Sequence, residues 1–534
     1  MKKQSFLKGS LLLTASAIFA KICGALFKLP LTALLGGTGM GYFSCAYGLF
    51  LPLYAILVTG LSTAVARPVA DFTARGRHRS AYKIRNTARI LCFIMGMAGM
   101  LLAVMGAKFF TLQTSGSPEA YPAVLIMTPA VLFSCLTAVE RGYCEGLCSM
   151  TPTALSQAAE ALVKLTAGLY FSRLFFHSPP LPGYPPEANG AFGAVLGVTL
   201  STAAGYLYLM IRNLIHHEKT FSQETPPSGR QILHLLLKLM IPAALGALMT
   251  NLTSLIDLLT MMRNFTAMLN ASPDLFYQKA SLSKDIPPSE AAAFVYGSFM
   301  GLSVTVFNLV PSLTNMLAKS VLPCTAQAWS AGNHHQAADY ARQVLLLTGL
   351  AAIPAGCGIF ALSDGILRFL FSGRDAEIRA AVPGLRWLAP GLIFLCMAFP
   401  VFSLLQAIGR EDLPVKVMLP GAAVKLLCNL LLIPQSCTAG AALSTSICYA
   451  LILILALICL RRELGESLHL IKPLCGQIWG GILCALAAYL SYDRLLPHVP
   501  HRTAFILSVG LAVLMYIFAL CMTSLKELRT LLKK

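Results

Sequence analysis

The chain has 534 residues, of which 56% are hydrophobic and only 12% are charged, and its formal net charge is +19. A soluble protein carries about 25% charged residues, so this composition excludes a soluble globular protein and indicates an integral membrane protein. Basic residues between apolar spans and anionic lipid of the inner leaflet account for the positive charge, so binding to nucleic acid is not needed to explain it.

Hydropathy predicts an all-α fold of about fourteen transmembrane helices, each about 20 residues long. The apolar sequence that resumes after Lys21 continues to Leu35, which is too long for a signal peptide and predicts an uncleaved first span. Lys and Arg are concentrated in alternate connecting segments, and the positive-inside rule then places both termini in the cytoplasm. The predicted spans are centred near residues 22, 54, 98, 130, 162, 201, 247, 306, 354, 394, 424, 450, 483 and 514.

Weak internal similarity divides the spans into two halves. Gly24-Ala-Leu-Phe matches Gly246-Ala-Leu-Met, and Val163-Lys164-Leu165 matches Val424-Lys425-Leu426. Six spans per repeat give both halves the same orientation, with substrate expected between them near mid-depth. The sequence therefore predicts an N-terminal six-helix lobe (1–225), a C-terminal six-helix lobe (230–465), and two additional transmembrane helices with a cytoplasmic tail (470–534).

The first span carries two lysines at membrane depth. Lys21, Gly24 and Lys28 share one helix face, and the two lysines are about 10 Å apart along the axis. A buried charge is expensive in a membrane, and two cations on one face suit an anionic group such as a pyrophosphate. The alternative is that the lysines reach to the interfaces. We predict that Lys21 and Lys28 bind substrate.

The fifth span carries a second polar face, formed by Gln157, Glu160 and Lys164. Glu160 precedes Lys164 by four residues, which is the favourable order for an ion pair on a helix. These residues therefore either contact the substrate or neutralise each other so that the helix can insert. The sequence leaves both interpretations open, and we include all three among the candidate substrate-binding residues.

A possible site for a coupling cation involves Asp257 in the seventh span, Asn429 in the eleventh and Thr445, or its neighbour Ser444, in the twelfth. An isolated carboxylate in lipid needs a partner, a proton or a metal ion. A protonated Asp257 that hydrogen-bonds across helices is an equal alternative. The sixteen cysteines are scattered and lack ligand spacing, so we predict no resident metal site and no cofactor.

Three segments carry a resemblance to a known family: 21–42 (KICG…FKLPLT…LG…GMGY), 141–160 (RGYCEGL…MTPTALSQAAE) and 251–257 (NLTSLID). They resemble the stage V sporulation protein B branch of the polysaccharide-exporter family, in the superfamily that holds multidrug extruders and lipid II flippases. The resemblance implies a fourteen-helix flippase fold with a central cavity, in a bacterial plasma membrane. It also implies that Lys21 and Lys28 hold a diphosphate. A sodium site of some relatives maps onto Asp257 and Asn429, although no acid follows Asn429 here.

The implied function is export of an undecaprenyl-linked sugar from the inner to the outer leaflet, with wall or polysaccharide synthesis enzymes as further partners. Coupling to Na⁺, to H⁺ or to the membrane potential alone stays open. An antiporter of drugs or cations on the same fold is the alternative, and a membrane glycosyltransferase or polymerase is a weaker one. We predict that the chain is not an enzyme, and the phosphate-binding motif GxxxxGK[ST] does not occur in it.

Overall fold

The computed structural model describes residues 6–114, 117–215, 227–283, 285–410, 412–465 and 471–523, and within these ranges the chain forms helices and no strands. Two short π-helical turns, Phe110–Thr114 and Phe299–Ser303, and one 3₁₀ turn, Pro118–Ala120, interrupt the α-helices. The α-helices are α1 (Phe6–Leu57), α2 (Leu61–Ala74), α3 (His78–Phe109), α4 (Tyr121–Gly146), α5 (Thr151–His177), α6 (Pro186–Ile215), α7 (Gly229–Ala271), α8 (Pro273–Lys279), α9 (Pro288–Ser298), α10 (Val304–Phe307), α11 (Leu309–Ser330), α12 (His334–Ala361), α13 (Ser363–Leu370), α14 (Asp375–Ala407), α15 (Asp412–Leu464), α16 (Ile471–Leu495) and α17 (His501–Thr523).

Ten helical segments of the described chain are long and apolar enough to cross a membrane by length and composition. This confirms an all-α, multi-pass membrane protein, whereas the count of fourteen stays a prediction. Helix α5 is not one of the ten, because Gln157, Glu160 and Lys164 lower its hydropathy. Composition alone therefore does not identify α5, with its polar residues, as a membrane span.

Two long helices each cover a pair of predicted spans, with a bend in place of a loop. Helix α1 bends at Gly36, whose φ of 65° and ψ of −170° are accessible to glycine. Helix α15 bends at Ser436 and Cys437, where Cys437 has a φ of 48°. The Lys279 ammonium donates a hydrogen bond of 2.8 Å to the carbonyl of Pro434, one of the backbone groups near this bend.

Two of the segments that connect the predicted spans are largely helical. The basic segment 67–90 is helical except for a short turn, because α2 extends to Ala74 and α3 begins at His78. The segment 263–292 contains the end of α7 and the short helix α8. A helix can continue beyond the apolar core of the membrane, because its hydrogen bonds form between its own backbone groups. Hydropathy detects only the apolar part of such a helix and therefore places its end at the membrane–water boundary.

The chain forms two compact units, residues 1–259 and residues 260–534. In the first unit, an apolar core joins α1, α2, α3 and α4 with the beginning of α7. In the second unit, one core joins α11, α12, α14 and α15, and another joins α16 and α17. The predicted three-part division stays a prediction, and its first boundary near residue 225 and the C-terminal tail after residue 523 lie outside the described residues.

Among the described helices, α5 and α6 make the most extensive contact with each other, and glycines bring their backbones together. A Cβ atom at Gly197 would lie 2.3 Å from the Cα atom of Gly168, and one at Gly193 would lie 2.3 Å from the carbonyl oxygen of Phe171. Small residues at such positions are typical of packed transmembrane helices. This contact fixes α5 and therefore the position of its polar face.

The Gly197→Ala variant should lower the thermal unfolding midpoint of the purified protein, because the added methyl group overlaps backbone atoms and overpacking costs about 1–3 kcal/mol. Gly106→Ala on α3 is the matched control, since nothing lies within 4 Å of its added Cβ atom. That control should be neutral or stabilising by about 0.5–1 kcal/mol through helix propensity. Equal midpoints for the two variants would contradict the assigned role of Gly197.

Candidate functional site

The polar face of α5 lies in the first unit. Gln157, Glu160 and Lys164 are all half-buried, and Lys164 lies at the middle of the helix. From Ser156 to Lys164 the face extends about 12 Å along the helix axis. Gln157 and Lys164 contact α1, Glu160 contacts α4, and the adjacent Ser156 contacts α6, so the face links α5 to all three helices.

Lys164 is held by two aromatic side chains of α1. Its ammonium group is 3.0 Å from the Tyr47 hydroxyl oxygen, and it lies 5.4 Å and 5.3 Å from the ring centroids of Phe27 and Tyr47. The negative face of an aromatic ring attracts a cation without neutralising its charge. Gly168, one turn further along α5, makes room for Phe27, since a Cβ atom there would lie 2.6 Å from the Phe27 ring.

Lys28 lies close enough to Lys164 for the two positive charges to repel each other. Lys28 is half-buried on α1. Two like charges close together in the interior of one unit attract an anion. The structure thus brings together Lys28 from the first polar face and Lys164 from the second.

Lys21 is exposed, but it does not lie on the same side of α1 as the exposed large apolar residues. At about 100° per residue, Lys21 and Lys28 are separated by roughly 20° around the helix and lie more than about 100° from the centre of that apolar arc. The lysine strip is therefore distinct from the surface that suits lipid tails. The apolar arc consists of Ile18, Phe19, Ile22 and Leu26.

The ion pair between Glu160 and Lys164, one of the two interpretations that the sequence left open, does not form among the described residues. Among the described residues the Glu160 carboxylate pairs instead with Arg141 of α4, at 2.8 Å. Arg141 also donates to the Ser156 hydroxyl at 2.9 Å, and Ser156 in turn donates to the carbonyl of Gly205 on α6. A guanidinium that reaches two acceptors is a better partner than an ammonium on the same helix, where such pairs contribute only about 0.2–0.5 kcal/mol.

Gln157 has a structural contact at the base of the same face. Its side-chain oxygen accepts a hydrogen bond of 3.0 Å from the Ser16 hydroxyl of α1. Ser16 is buried, and it donates to the carbonyl of Leu13 as well. The contact joins α5 to the half of α1 that also carries Lys21 and Lys28.

Arg141 and Tyr47 belong to this site, although sequence reasoning did not name them as site residues. A signal for Arg141 was present, because Glu140 and Arg141 are adjacent charges inside an otherwise apolar stretch of α4. Tyr47 gave no such signal. It is one of four aromatic residues at helical spacing on α1, a pattern that usually indicates core packing; the others are Phe43, Phe50 and Tyr54.

A second charged cluster in the first unit surrounds Glu140, whose side chain is only 1% exposed. Arg85 approaches it to 2.6 Å and Arg89 to 2.8 Å, both from α3. Asn213 of α6 donates to it at 2.7 Å. This carboxylate therefore joins three helices, which indicates a structural role.

The candidates for cation coupling belong to both units. Asp257 is half-buried on the part of α7 that belongs to the first unit. In the second unit the amide of Asn429 donates to the Thr260 hydroxyl at 2.7 Å and accepts a hydrogen bond from the Ser444 hydroxyl. The Thr445 hydroxyl donates to the carbonyl of Ala441 within its own helix, at 2.9 Å.

Comparison with known proteins agrees with this architecture. The family model described as lipid II flippase MurJ matches residues 43–516. Stage V sporulation protein B of Bacillus subtilis (strain 168) is 24% identical over 441 residues, which cover 80% of this chain and 77% of the relative. These similarities confirm the predicted placement among the flippases and exporters of this superfamily.

Two solved structures have the same fold. One is lipid II flippase MurJ in an inward closed conformation, with a TM-score of 0.70 and 16% identity over 95% of this chain and 98% of that one. The other is an inward-facing multidrug resistance transporter of the MATE family, with a TM-score of 0.64 and 13% identity over 85% of this chain and 98% of that one. Both solved structures are of transporters, and this chain shares their fold. The match to a family of flippases agrees with the prediction that the chain is not an enzyme.

Proposed function

Because this chain belongs to the lipid II flippase MurJ family, we propose that it carries an anionic, undecaprenyl-linked sugar from the inner to the outer leaflet of a bacterial plasma membrane, with both termini in the cytoplasm. The observation that carries this proposal is the pair of ammonium groups of Lys28 and Lys164. Lys28 directly follows Phe27 on α1, and the Lys164 ammonium lies 5.4 Å from the Phe27 ring, so both cations belong to one part of the first unit.

The Glu160 carboxylate does not neutralise the positive charge of Lys164. Among the described residues no carboxylate lies within ion-pair distance of Lys164, and its hydrogen-bond partner is the neutral Tyr47 hydroxyl. An anion that enters this site would relieve the repulsion between the two lysines and would form charge-assisted hydrogen bonds with them. A diphosphate has the charge and the spacing of oxygen atoms that two ammonium groups require.

Lys21 extends the site along α1. It lies about 10 Å from Lys28 on the same strip of the helix, toward the N-terminal end. With the N-terminus in the cytoplasm, an anion arriving from the inner leaflet would meet Lys21 before Lys28. We therefore assign Lys21 to the approach of the headgroup and the Lys28–Lys164 pair to its binding.

The same charges disfavour an antiporter of cationic drugs. A cation in this part of the unit would be repelled by both lysines, and the Glu160 carboxylate is already paired with Arg141. Export of an anion is instead favoured by a membrane potential that is negative inside, by about 2.3 kcal/mol per charge per 100 mV. We propose that the potential drives the transport.

A transport assay with the purified protein in liposomes tests the proposal. The substrates are two fluorescent prenyl-linked sugars with the same sugar and the same chain, one joined through a diphosphate and the other through a neutral linker. We expect the protein to accelerate flipping of the diphosphate lipid only, and a potential imposed to move negative charge in the transport direction to raise the rate. Equal acceleration of the neutral lipid would overturn the proposal.

A further inference from the structure

The charged cluster of Glu140, Arg85, Arg89 and Asn213, which we call the Glu140 cluster, reaches the surface of the first unit through Arg89. The Arg89 side chain is 39% exposed, whereas the Glu140 side chain that it contacts is 1% exposed. Arg89 donates two hydrogen bonds to one carboxylate oxygen, from Nε at 3.0 Å and from Nη2 at 2.8 Å. The buried carboxylate thus fixes a guanidinium group that is partly open to the outside of the unit.

The Glu140 cluster has a positive net charge. Arg85 and Arg89 share the single carboxylate of Glu140, and the remaining partner, Asn213, is neutral. Two guanidinium groups and one carboxylate give a net charge of +1. Glu145, the next carboxylate on α4, lies about 140° further around the helix and accepts a hydrogen bond from a hydroxyl group of α2. The exposed side of the cluster therefore attracts an anion.

Helices α3 and α6 run in opposite directions beside α4, as pairs of contacts along α4 show. The contacts with α6 advance in the direction of α4, and those with α3 advance against it. The pairs are Ile126–Thr199 and Glu140–Asn213 with α6, and Val131–Gly99 and Glu140–Arg89 with α3.

Exposed apolar side chains flank the cluster on both helices. Phe93, one turn after Arg89 on α3, is 50% exposed, and Met210, almost one turn before Asn213 on α6, is 42% exposed. Because α3 and α6 run in opposite directions and both contact Glu140, Phe93 and Met210 lie on the same side of the cluster along the helix axes.

The character of α3 changes at the level of Arg89. The turns before it carry Arg79, which is exposed, and Lys83, which is half-buried. The turn after it carries Phe93 and Ile94, both exposed. A change from basic to apolar surface along one helix is typical of the boundary between lipid headgroups and hydrocarbon. The Glu140 cluster therefore lies at the depth of the headgroups.

We propose that the exposed side of the Glu140 cluster binds the phosphate group of an anionic phospholipid, whose acyl chains lie along Phe93 of α3 and Met210 of α6. The Arg89 guanidinium donates to the phosphate, and the net charge of the cluster selects an anionic headgroup over a zwitterionic one. With both termini in the cytoplasm, as proposed above, this lipid belongs to the inner leaflet. The lipid joins α3 and α6 at the surface and stabilises the folded protein.

The thermal unfolding midpoint of the purified wild-type protein in detergent, measured with increasing phosphatidylglycerol, provides the first test. A ligand that binds only the folded state raises this midpoint. We expect a rise of about 2–5 °C when the lipid is at about 100 times its Kd. Phosphatidylcholine with the same acyl chains and the soluble headgroup glycerophosphoglycerol should give no comparable rise. A rise of equal size with either of them would overturn the proposal.

The Arg89→Gln variant provides the second test. Glu140 keeps its partners Arg85 and Asn213 in this variant, so a neutral pair remains buried. We expect the phosphatidylglycerol concentration at half of the maximal rise to increase by about 10- to 100-fold. Arg79→Gln is the matched control, because it removes the same charge from an exposed position of the same helix. An equal loss in both variants would show that the lipid responds only to general surface charge and would contradict the assigned site.

The Phe93→Ala variant tests the place of the acyl chains and leaves the charges of the cluster unchanged. This side chain is half exposed, so its loss should not prevent folding, and we expect phosphatidylglycerol to bind about 3- to 10-fold more weakly. Met105→Ala, at an exposed position further along α3, is the control and should bind the lipid as the wild type does. Unchanged binding by the Phe93→Ala protein would contradict the proposed position of the lipid.

These measurements follow folding and use no transport substrate. They therefore test the lipid site whether or not the protein carries a lipid-linked sugar. If Arg89→Gln does not yield folded protein, the comparison of lipids on the wild type and the Phe93→Ala variant still give the answer.

Discussion

Replacing Lys164 by methionine should reduce the initial rate of flipping of a diphosphate-linked lipid by about 10- to 100-fold. The expected loss corresponds to one charge-assisted hydrogen bond, which contributes about 1.5–3 kcal/mol. The Lys28→Met/Lys164→Met double variant should bring the rate to that of protein-free liposomes. The measurement is the fluorescence assay with reconstituted protein at equal protein content.

The Lys164→Met single variant should not be less stable than the wild type. This expectation separates a role of Lys164 in binding from a role in structure. Removing Lys164 relieves its repulsion with Lys28 and takes a charge out of mid-membrane, both of which favour the folded state. A lower unfolding midpoint combined with unchanged flipping would show that Lys164 serves packing. Lys416→Met is the control, since this exposed lysine pairs with Asp412 at the surface and its replacement should leave both quantities unchanged.

The Glu140→Gln variant should destabilise the protein by about 3–5 kcal/mol, the cost of leaving a buried charge without its partner. Glu140 is the shared acceptor of Arg85, Arg89 and Asn213, and Arg85 is itself buried. Neutral glutamine cannot compensate two guanidinium groups. We expect a sharply lower unfolding midpoint and a lower yield of monodisperse protein in detergent.

Asp71→Asn is the matched control for this variant. Asp71 pairs with Arg75 at 3.0 Å, but both side chains are more than half exposed, so the loss should be within about 0.5 kcal/mol. The two variants therefore differ mainly in how deeply the replaced carboxylate is buried. Similar midpoints for Glu140→Gln and Asp71→Asn would show that the Glu140 cluster does not hold α3, α4 and α6 together.

The sequence was a reliable guide to the class of fold and to the polar faces of individual helices. Composition is decisive for a membrane protein, and the spacing of Gln157, Glu160 and Lys164 places them on one face of any helix that contains them. The bends at Gly36 and at Cys437 were not predicted. Hydropathy indicates where an apolar span ends. It does not show whether the chain between two spans is a loop or a bend in one continuous helix.

The partners of the charged residues could not be predicted from one sequence, because they come from other helices. Glu160 pairs with Arg141 and Lys164 contacts Tyr47, whereas local spacing favoured a Glu160–Lys164 pair. A local preference of a few tenths of a kcal/mol is overridden by tertiary geometry. The resulting separation of Lys164 from the carboxylate is what gives the site its positive charge.

The most direct test of the anionic site is the binding of a soluble, short-chain prenyl diphosphate to the purified protein, followed by isothermal titration calorimetry. We predict measurable binding to the wild type and a loss of about 100-fold or more in affinity when Lys28 and Lys164 are both replaced by methionine. Lys416→Met should bind as the wild type does. Unchanged affinity in the double variant would contradict the assignment of the headgroup to these two lysines.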